Sequence, residues 1–302
     1  MKTILKGMKM AVLLLVLFSI ASCGKKDDGA LSGLFSVSAD TKVQFSHGNL
    51  QYQASKKKWR FAENQWDWVG GLNNGTVYSD LVRCNNAEIS EKYEGWIDLF
   101  GWGTGDKPNL SGHKGYDMFV DWGVNTISNG GKAANLWRAL TKDEWEYLFH
   151  GRANAEKLFG FGNVYGVYGI IILPDNWDLP NGYTFTPSVT KGLTWIKEGE
   201  GFGHLKDFYH NSKFDNYSHN YYYCTDWAVL EAAGAVFLPA AGDRIGADYG
   251  CDGSKGKYWS STPYDSYDSF CISFDNGNLF IKDNRNRVYM GCSVRLVRDI
   301  QD

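Results

Sequence analysis

The chain has 302 residues, enough for one large or two modest domains with a true core. Aromatic residues make up 16% of it, and 35 Gly stand against only 6 Pro; that mix suits a loop-rich globular fold and excludes a disordered chain, which is poor in aromatics. The formal charge is −3, more negative still once Lys2, Lys6 and Lys9 of the N-terminal segment are discounted, so no basic stripe remains to serve a nucleic acid.

Those three lysines precede the apolar run Ala11 to Phe18, which is too short to span a bilayer as a mature helix. Residues 1–22 therefore read as a signal peptide. The segment Ile20-Ala21-Ser22-Cys23 resembles a bacterial lipobox, which implies cleavage before Cys23 and its lipidation with several acyl chains, a durable anchor. Residues 23–34, opening with Gly24-Lys-Lys-Asp-Asp28, read as a flexible tether ahead of a folded domain over 35–302. The charged run resembles the export tag of Bacteroidetes lipoproteins. The expected location is the outer membrane, lipid-anchored and exposed at the cell surface, with the lipid as the sole membrane contact.

From Phe35 the apolar residues Val37, Val43, Phe45, Leu50, Tyr52, Trp59 and Phe61 fall in short runs broken by turn residues, which predicts antiparallel strands with Lys56 to Lys58 at a turn. A long irregular stretch follows to about Gly131, with tryptophans such as Trp96 and Trp102 expected to plug it. Thr141-Lys-Asp-Glu144 is a capping box and starts a short helix that shows Trp145, Leu148 and Phe149 on one face. Gly169 to Leu173 reads as a buried strand stopped by Pro174. A second helix is expected from Thr225 to Gly234, followed by a strand over Ala235 to Leu238.

The last third reads as hairpins. Lys257 to Thr262 is a strand, and Phe270, Ile272 and Phe274 alternate with Ser269, Cys271, Ser273 and Asp275, so one face is expected buried and the other presented. Asn276-Gly277 signals a tight hairpin, with Leu279 and Ile281 inward and Asn278, Phe280 and Lys282 outward. Asp283 to Arg287 reads as the next turn, and a final strand closes near Gly291 to Arg298. Five cysteines lie beyond Cys23, in no CxxC or zinc-like spacing, and their odd number argues against an obligatory disulfide framework.

Two helices, few short strands, long loops and a terminal hairpin sheet resemble the C-type lectin fold, an α+β architecture. Trp137-Arg-Ala-Leu-Thr141-Lys-Asp-Glu-Trp145-Glu-Tyr147 is similar to the R-L-P-T-x-x-E-W-E-Y segment of its formylglycine-generating-enzyme-like branch. Gly169-Ile-Ile-Ile-Leu-Pro-Asp175, Gly234-Ala-Val-Phe-Leu-Pro-Ala-Ala-Gly242, Tyr258-Trp-Ser-Ser-Thr262 and Ser293-Val-Arg-Leu-Val-Arg298 look like surface lipoproteins of gut Bacteroides. Some proteins of this fold are rewritten at adenine-bearing codons by diversity-generating retroelements, and rewritten AAC codons never yield Lys, Gln, Glu, Met or Trp. Between Pro263 and Gly291 only Lys282 and Met290 are of those types, where about five would follow from simple proportion.

The resemblance implies a non-catalytic surface protein binding an extracellular protein or glycan through the hairpins at 258–298. The residues expected to carry it are Tyr264, Asp265, Tyr267, Asp268, Phe270, Asn278, Phe280, Asn284, Asn286 and Tyr289: rings for contact area, Asp and Asn for hydrogen bonds. No cofactor or metal is expected. Two other readings stay open, a fimbrial or surface-coat subunit and a degenerate oxidase of the formylglycine-generating kind. That enzyme type works through a close copper-binding cysteine pair, whereas Cys271 and Cys292 lie 21 positions apart. Asp175-Asn-Trp-Asp178 offers oxygen ligands for calcium but reads more simply as a turn around a tryptophan.

Overall fold

The computed structural model describes residues 28–69, 90–108, 118–188, 217–246, 248–250, 253–275, 278–282 and 284–300. The signal peptide and Cys23 lie outside them. The chain is α+β, with two short helices and several small sheets.

The first strands are β1 (Phe35–Ser36), β2 (Lys42–Phe45), β3 (Leu50–Gln53), β4 (Lys58–Phe61) and β5 (Leu99–Phe100). The β3–β4 hairpin turns at Lys57, which takes a left-handed conformation at φ 47°, as the lysine run predicts. Helix α1 (Lys142–Glu146) begins on the expected capping box. Thr141 Oγ1 accepts from the Glu144 N–H at 3.2 Å, and the Glu144 carboxylate accepts from the Thr141 N–H at 2.8 Å. Next come β6 (Phe159–Val164), β7 (Val167–Ile172), β8 (Tyr221–Tyr222), α2 (Cys224–Ala232) and β9 (Val236–Pro239), which build a sheet in the order β8-β6-β7-β9. Gly234 ends α2 with φ 101°, and its carbonyl lies where any Cβ on Gly33 would clash, so both positions require glycine.

The remaining strands are β10 (Asp243–Ile245), β11 (Asp248–Gly250), β12 (Lys255–Pro263), β13 (Asp268–Asp275), β14 (Asn278–Phe280), β15 (Arg285–Arg287), β16 (Met290–Ser293) and β17 (Val297–Asp299). All but β17 form a large sheet in the order β11-β10-β16-β12-β13-β14, with β15 also on β13 and β5 added to β16. The expected turn at 283–287 is corrected here. Arg285–Arg287 is a strand that continues the β14 edge, pairing with Asp268 to Phe270 of β13 while β14 pairs with Ser273 to Asp275. The Asn276-Gly277 turn lies outside the described residues, but Asp275 and Asn278 face each other across it. The expected final strand is two strands, because β17 leaves the large sheet to pair with β2.

That last pairing corrects the tether boundary as well. The chain is docked from Asp28: its carboxylate meets Arg298 at 2.6 Å, Ala30 bridges Ser46, and Leu31 is buried in the core. Burial would raise the Asp28 pKa, but the Arg298 contact and the Ala30 N–H outweigh it and hold it below the ordinary value.

The β12–β13 hairpin stands between two cores. Tyr258, Ile272 and Phe274 face one, with Phe45, Trp145 and Phe149; Trp259 and Cys271 face the other, with Trp59, Phe100, Trp102 and Trp122. The expectation of one buried and one presented face on β13 holds for Ile272 and Phe274 against the half-buried Ser273 and Asp275 but fails for Ser269 and Cys271, which are buried. A strand walled on both sides has no solvent face until it passes the edge of both cores. Trp102 and Trp122 of the irregular stretch are buried, and Trp102 gives its indole N–H to the Ser260 carbonyl at 2.8 Å; Trp96 is only half-buried, with the Arg60 guanidinium over its ring at 4.0 Å.

Arg295 is buried and donates to Asn49 Oδ1 (3.1 Å), the Ser46 carbonyl (2.9 Å) and the Phe237 carbonyl (2.6 Å). Replacing it strands those acceptors in the core. Arg295→Met should therefore lower the unfolding free energy by about 3 kcal/mol or more, read from urea denaturation. An unchanged midpoint would show that the buried guanidinium does not organise the fold.

Candidate functional site

Beyond Pro263 the β12–β13 hairpin passes both cores and ends in a tip, residues 264–267, which the fold presents to solvent. Tyr264 is 50% exposed and Tyr267 66% exposed. Asp265 shapes the turn: its carboxylate accepts from the N–H groups of Tyr267 (2.7 Å) and Asp268 (2.8 Å), and those bonds hold its pKa below the usual carboxylate range. The tip is seated on the body by a bulge, since β12 runs from Trp259, opposite Cys271, to Pro263, opposite Ser269, with extra residues on its side. Ser260 Oγ and Ser269 Oγ bridge that irregular stretch, donating to the carbonyls of Phe270 and Thr262 at 2.9 and 2.8 Å.

Cations surround these rings. The Arg285 guanidinium lies over the Tyr264 ring at 3.9 Å, and the Lys142 ammonium lies 5.2 Å from the Phe270 ring centre. Phe270 is half-buried and meets Tyr264 edge to face at 5.5 Å, so it supports the exposed ring from beneath. Arg287 pairs with Asp268 at 3.2 Å. Lys142 is placed by α1, whose first N–H bonds Thr262 Oγ1 at 3.0 Å. Lys142, Arg285 and Arg287 were not expected at the site. The signal that points to them is the pairing of β15 with the start of β13, invisible when 283–287 is read as a turn.

Only part of the expected residue set gathers at the tip. Tyr264, Asp265, Tyr267, Asp268 and Phe270 do. Asn278 sits at the opposite end of β13, where its amide donates to Asp275 at 2.9 Å, and the half-buried Phe280 is on the same short strand. Asn284 and Asn286 are corrected from presented to structural. Asn284 donates to the Cys271 carbonyl (2.9 Å) and Ser273 Oγ (3.0 Å), filling the gap between β14 and β15. Asn286 is buried, with its amide 3.2 Å from Cys292 Sγ. Each follows from the extra strand on the β13 edge, which turns these side chains inward. Tyr289 is half-buried after β15.

The two thiols near these asparagines are walled in. Cys271 on β13 and Cys292 on β16 flank β12 on opposite sides, so they are not on neighbouring strands, and both are free. Burial pushes the Cys271 thiol up to about 12 and Cys292 well above its ordinary value. Lys257 lies close, its ammonium bonded to Asp243; burial would lower its pKa, but the thiols and Asp243 outweigh that and raise it. Raised thiol pKa values mean little thiolate, so neither sulfur is set up as a nucleophile. Among the described residues no group of three or more His, Cys, Asp or Glu is placed to hold a metal. Asp175 is a structural anchor: it accepts from Ser36 N–H and Oγ and meets Arg152 at 3.2 Å.

The arrangement separates surface from scaffold, and stability measurements distinguish them. Tyr264→Ala with Tyr267→Ala should leave the urea midpoint within about 0.5 kcal/mol of the parent, because exposed rings lose little on truncation. Asn284→Ala should cost roughly 1 kcal/mol, since the Cys271 carbonyl and the half-buried Ser273 hydroxyl lose a donor. The opposite ranking would make the tip rings part of the core. In the native protein Cys224, which is exposed, should react with a maleimide, while Cys271 and Cys292 should react only after denaturation, as read from labelled peptides by mass spectrometry. Comparison with known protein families, with curated proteins and with solved structures finds no match to this chain.

Proposed function

We propose that this chain is a surface-anchored lipoprotein, lipidated at Cys23, whose C-type-lectin-like domain binds an extracellular protein or glycan without catalysing a reaction. The observation that carries the reading is the hairpin tip, where two exposed tyrosines are held on a rigid two-sided core and flanked by a guanidinium stacked on one of them. Rings of this kind give contact area at small conformational cost, and a stacked Arg adds planar hydrogen-bond donors at the same spot. The buried, hard-to-ionise thiols support a reading without cysteine chemistry.

The tip narrows the contact set to Tyr264, Tyr267, Arg285 and Arg287, with Phe270 and Lys142 behind them. It bears on diversification too. Tyr264, Ser266 and Tyr267 are exposed, whereas Asp265 shapes the turn and Asn284 and Asn286 hold the strand edge; rewriting compatible with folding is expected at the exposed tip positions other than 265.

The test is a binding screen of the purified full chain on arrays of immobilised glycans and secreted or matrix proteins. The parent is expected to bind at least one target. The combination Tyr264→Ala, Tyr267→Ala and Arg285→Ala is expected to weaken that binding by roughly a hundredfold, as for loss of an interface hot spot, with the urea midpoint unchanged. Undiminished binding by the triple variant would sink the assignment of the tip.

A further inference from the structure

Asp28 is already part of the fold, yet only Gly24, Lys25, Lys26 and Asp27 separate it from Cys23. Its carboxylate meets Arg298 at 2.6 Å. A partly exposed ion pair of this kind holds little by itself, but the residues behind it seal the start of the domain. Gly29 sits at φ 82°, its carbonyl accepts from the His47 N–H at 2.9 Å, and any Cβ there would lie 2.6 Å from the Asn129 carbonyl oxygen. Leu31 donates its N–H to the Phe45 carbonyl at 2.9 Å and is buried. The chain therefore enters the domain beside Asn129, with no slack after Asp28.

That entry point limits how the domain can stand on its anchor. A fully extended chain spans at most about 3.6 Å per residue, so the Asp28 Cα stays within roughly 18 Å of the Cys23 Cα. A folded domain of this length has a radius of roughly 24 Å, from the scaling of the radius of gyration with chain length. With acyl chains holding Cys23 at the headgroups, any point on the upper half of such a body stands at least about 24 Å above them. Asp28 cannot reach that height, so its face belongs to the half of the domain turned toward the lipid.

The neighbouring surface suits that position. Gly131 is beside Asp28: a Cβ on it would lie 3.6 Å from the Asp28 carbonyl oxygen. Residues 131–135, Gly-Lys-Ala-Ala-Asn, are exposed, and Lys132 is the only charged residue from 129 to 136. Small side chains and a single positive charge meet no repulsion from phosphate headgroups. Given lipidation at Cys23, on which this rests, we propose that the face formed by Asp28, Arg298 and the 131–135 loop lies against the lipid surface that holds Cys23. The docked start then fixes both the height and the orientation of the domain above the membrane.

Lysine acetylation, read by mass spectrometry on the full chain processed in a bacterium and added to phosphatidylcholine vesicles, tests it. These vesicles are neutral, so protection reports geometry and not attraction between charges. Lys132 should acetylate at least about fivefold more slowly in the vesicle-bound protein than in a Cys23→Ala form, purified without its signal peptide and mixed with the same vesicles. Lys57, at the far end of the β3–β4 hairpin from the Phe61 that Gly29 packs on, should react equally in both. A Gly-Ser spacer of about twenty residues after Gly24, which adds a mean span of roughly 25 Å, should return Lys132 to the rate of the Cys23→Ala form. Cys23 without acyl chains, in protein that does not float with vesicles, would overturn the lipoprotein reading and this orientation with it. Acylated, floating protein in which Lys132 reacts at the unprotected rate, or in which Lys57 is shielded as strongly, overturns the orientation alone.

Discussion

One buried cation, Arg295, holds the separate pieces of this fold in register. Most of the strands are two to four residues long, and such ladders are weak on their own. Arg295 reaches the β2–β3 connection through Ser46 and Asn49 and the β9 strand through Phe237. Asn49 in turn donates to the Tyr258 hydroxyl at 3.2 Å, and that hydroxyl donates to the Pro239 carbonyl at 2.8 Å. Four segments distant in sequence thus share one hydrogen-bonded node. Burial lowers the Arg295 pKa to about 10, partly opposed by Tyr258 and Glu231, so the side chain still carries its charge at neutral pH. Carbonyl and amide oxygens take the place of a carboxylate partner, and their fixed geometry gives the node direction, which non-directional apolar packing lacks.

The node also anchors the strand that carries the hairpin tip. Tyr258 is at once a member of the node and the residue of β12 that pairs with both Ile272 and Ser293. From there β12 runs outward, buried on both faces, and loses its cover only near Thr262. Helix α1 clasps that point, with the Ser261 N–H bonded to the Leu140 carbonyl at 2.8 Å and Thr262 Oγ1 to the Lys142 N–H. The tyrosines at 264 and 267 therefore project from an extension of the core and not from a free loop, so little ordering remains to be done when a ligand arrives.

Much of this was legible in the sequence, and the failures share a cause. Capping boxes, glycine stops and turn residues are local signals, and the helices at 142 and 224, the lysine turn and the strands β7 and β9 follow from them, whereas β6 carries no such local signal and goes unread. The misread segments depend on partners far along the chain. Asp28 to Leu34 reads as tether until Arg298 and Ser46 are known to lie beside it. Arg285 to Arg287, polar and asparagine-bearing, reads as turn because its strand character comes entirely from pairing with β13. That one pairing decides the site, since it buries Asn286, occupies Asn284 and brings Arg285 over Tyr264. Alternation along β13 misled in the same way: period two tells the two faces apart but not whether a second core covers the other one.

The two exposed tyrosine groups differ in what surrounds them, and that difference is physical. At the hairpin tip the rings lie among Lys142, Arg285, Arg287, Asp265 and Asp268, so any ligand must satisfy or displace charges, and its binding will weaken with salt. Around Tyr168 and Tyr221 the ring neighbours among the described residues are Tyr217 and Tyr223, and the buried Asn163 between their strands is tied to the Gly166 N–H. The groups stand on different sheets, and the Arg295 node joins those sheets through the Phe237 carbonyl on one side and, by way of Asn49, the Tyr258 hydroxyl on the other.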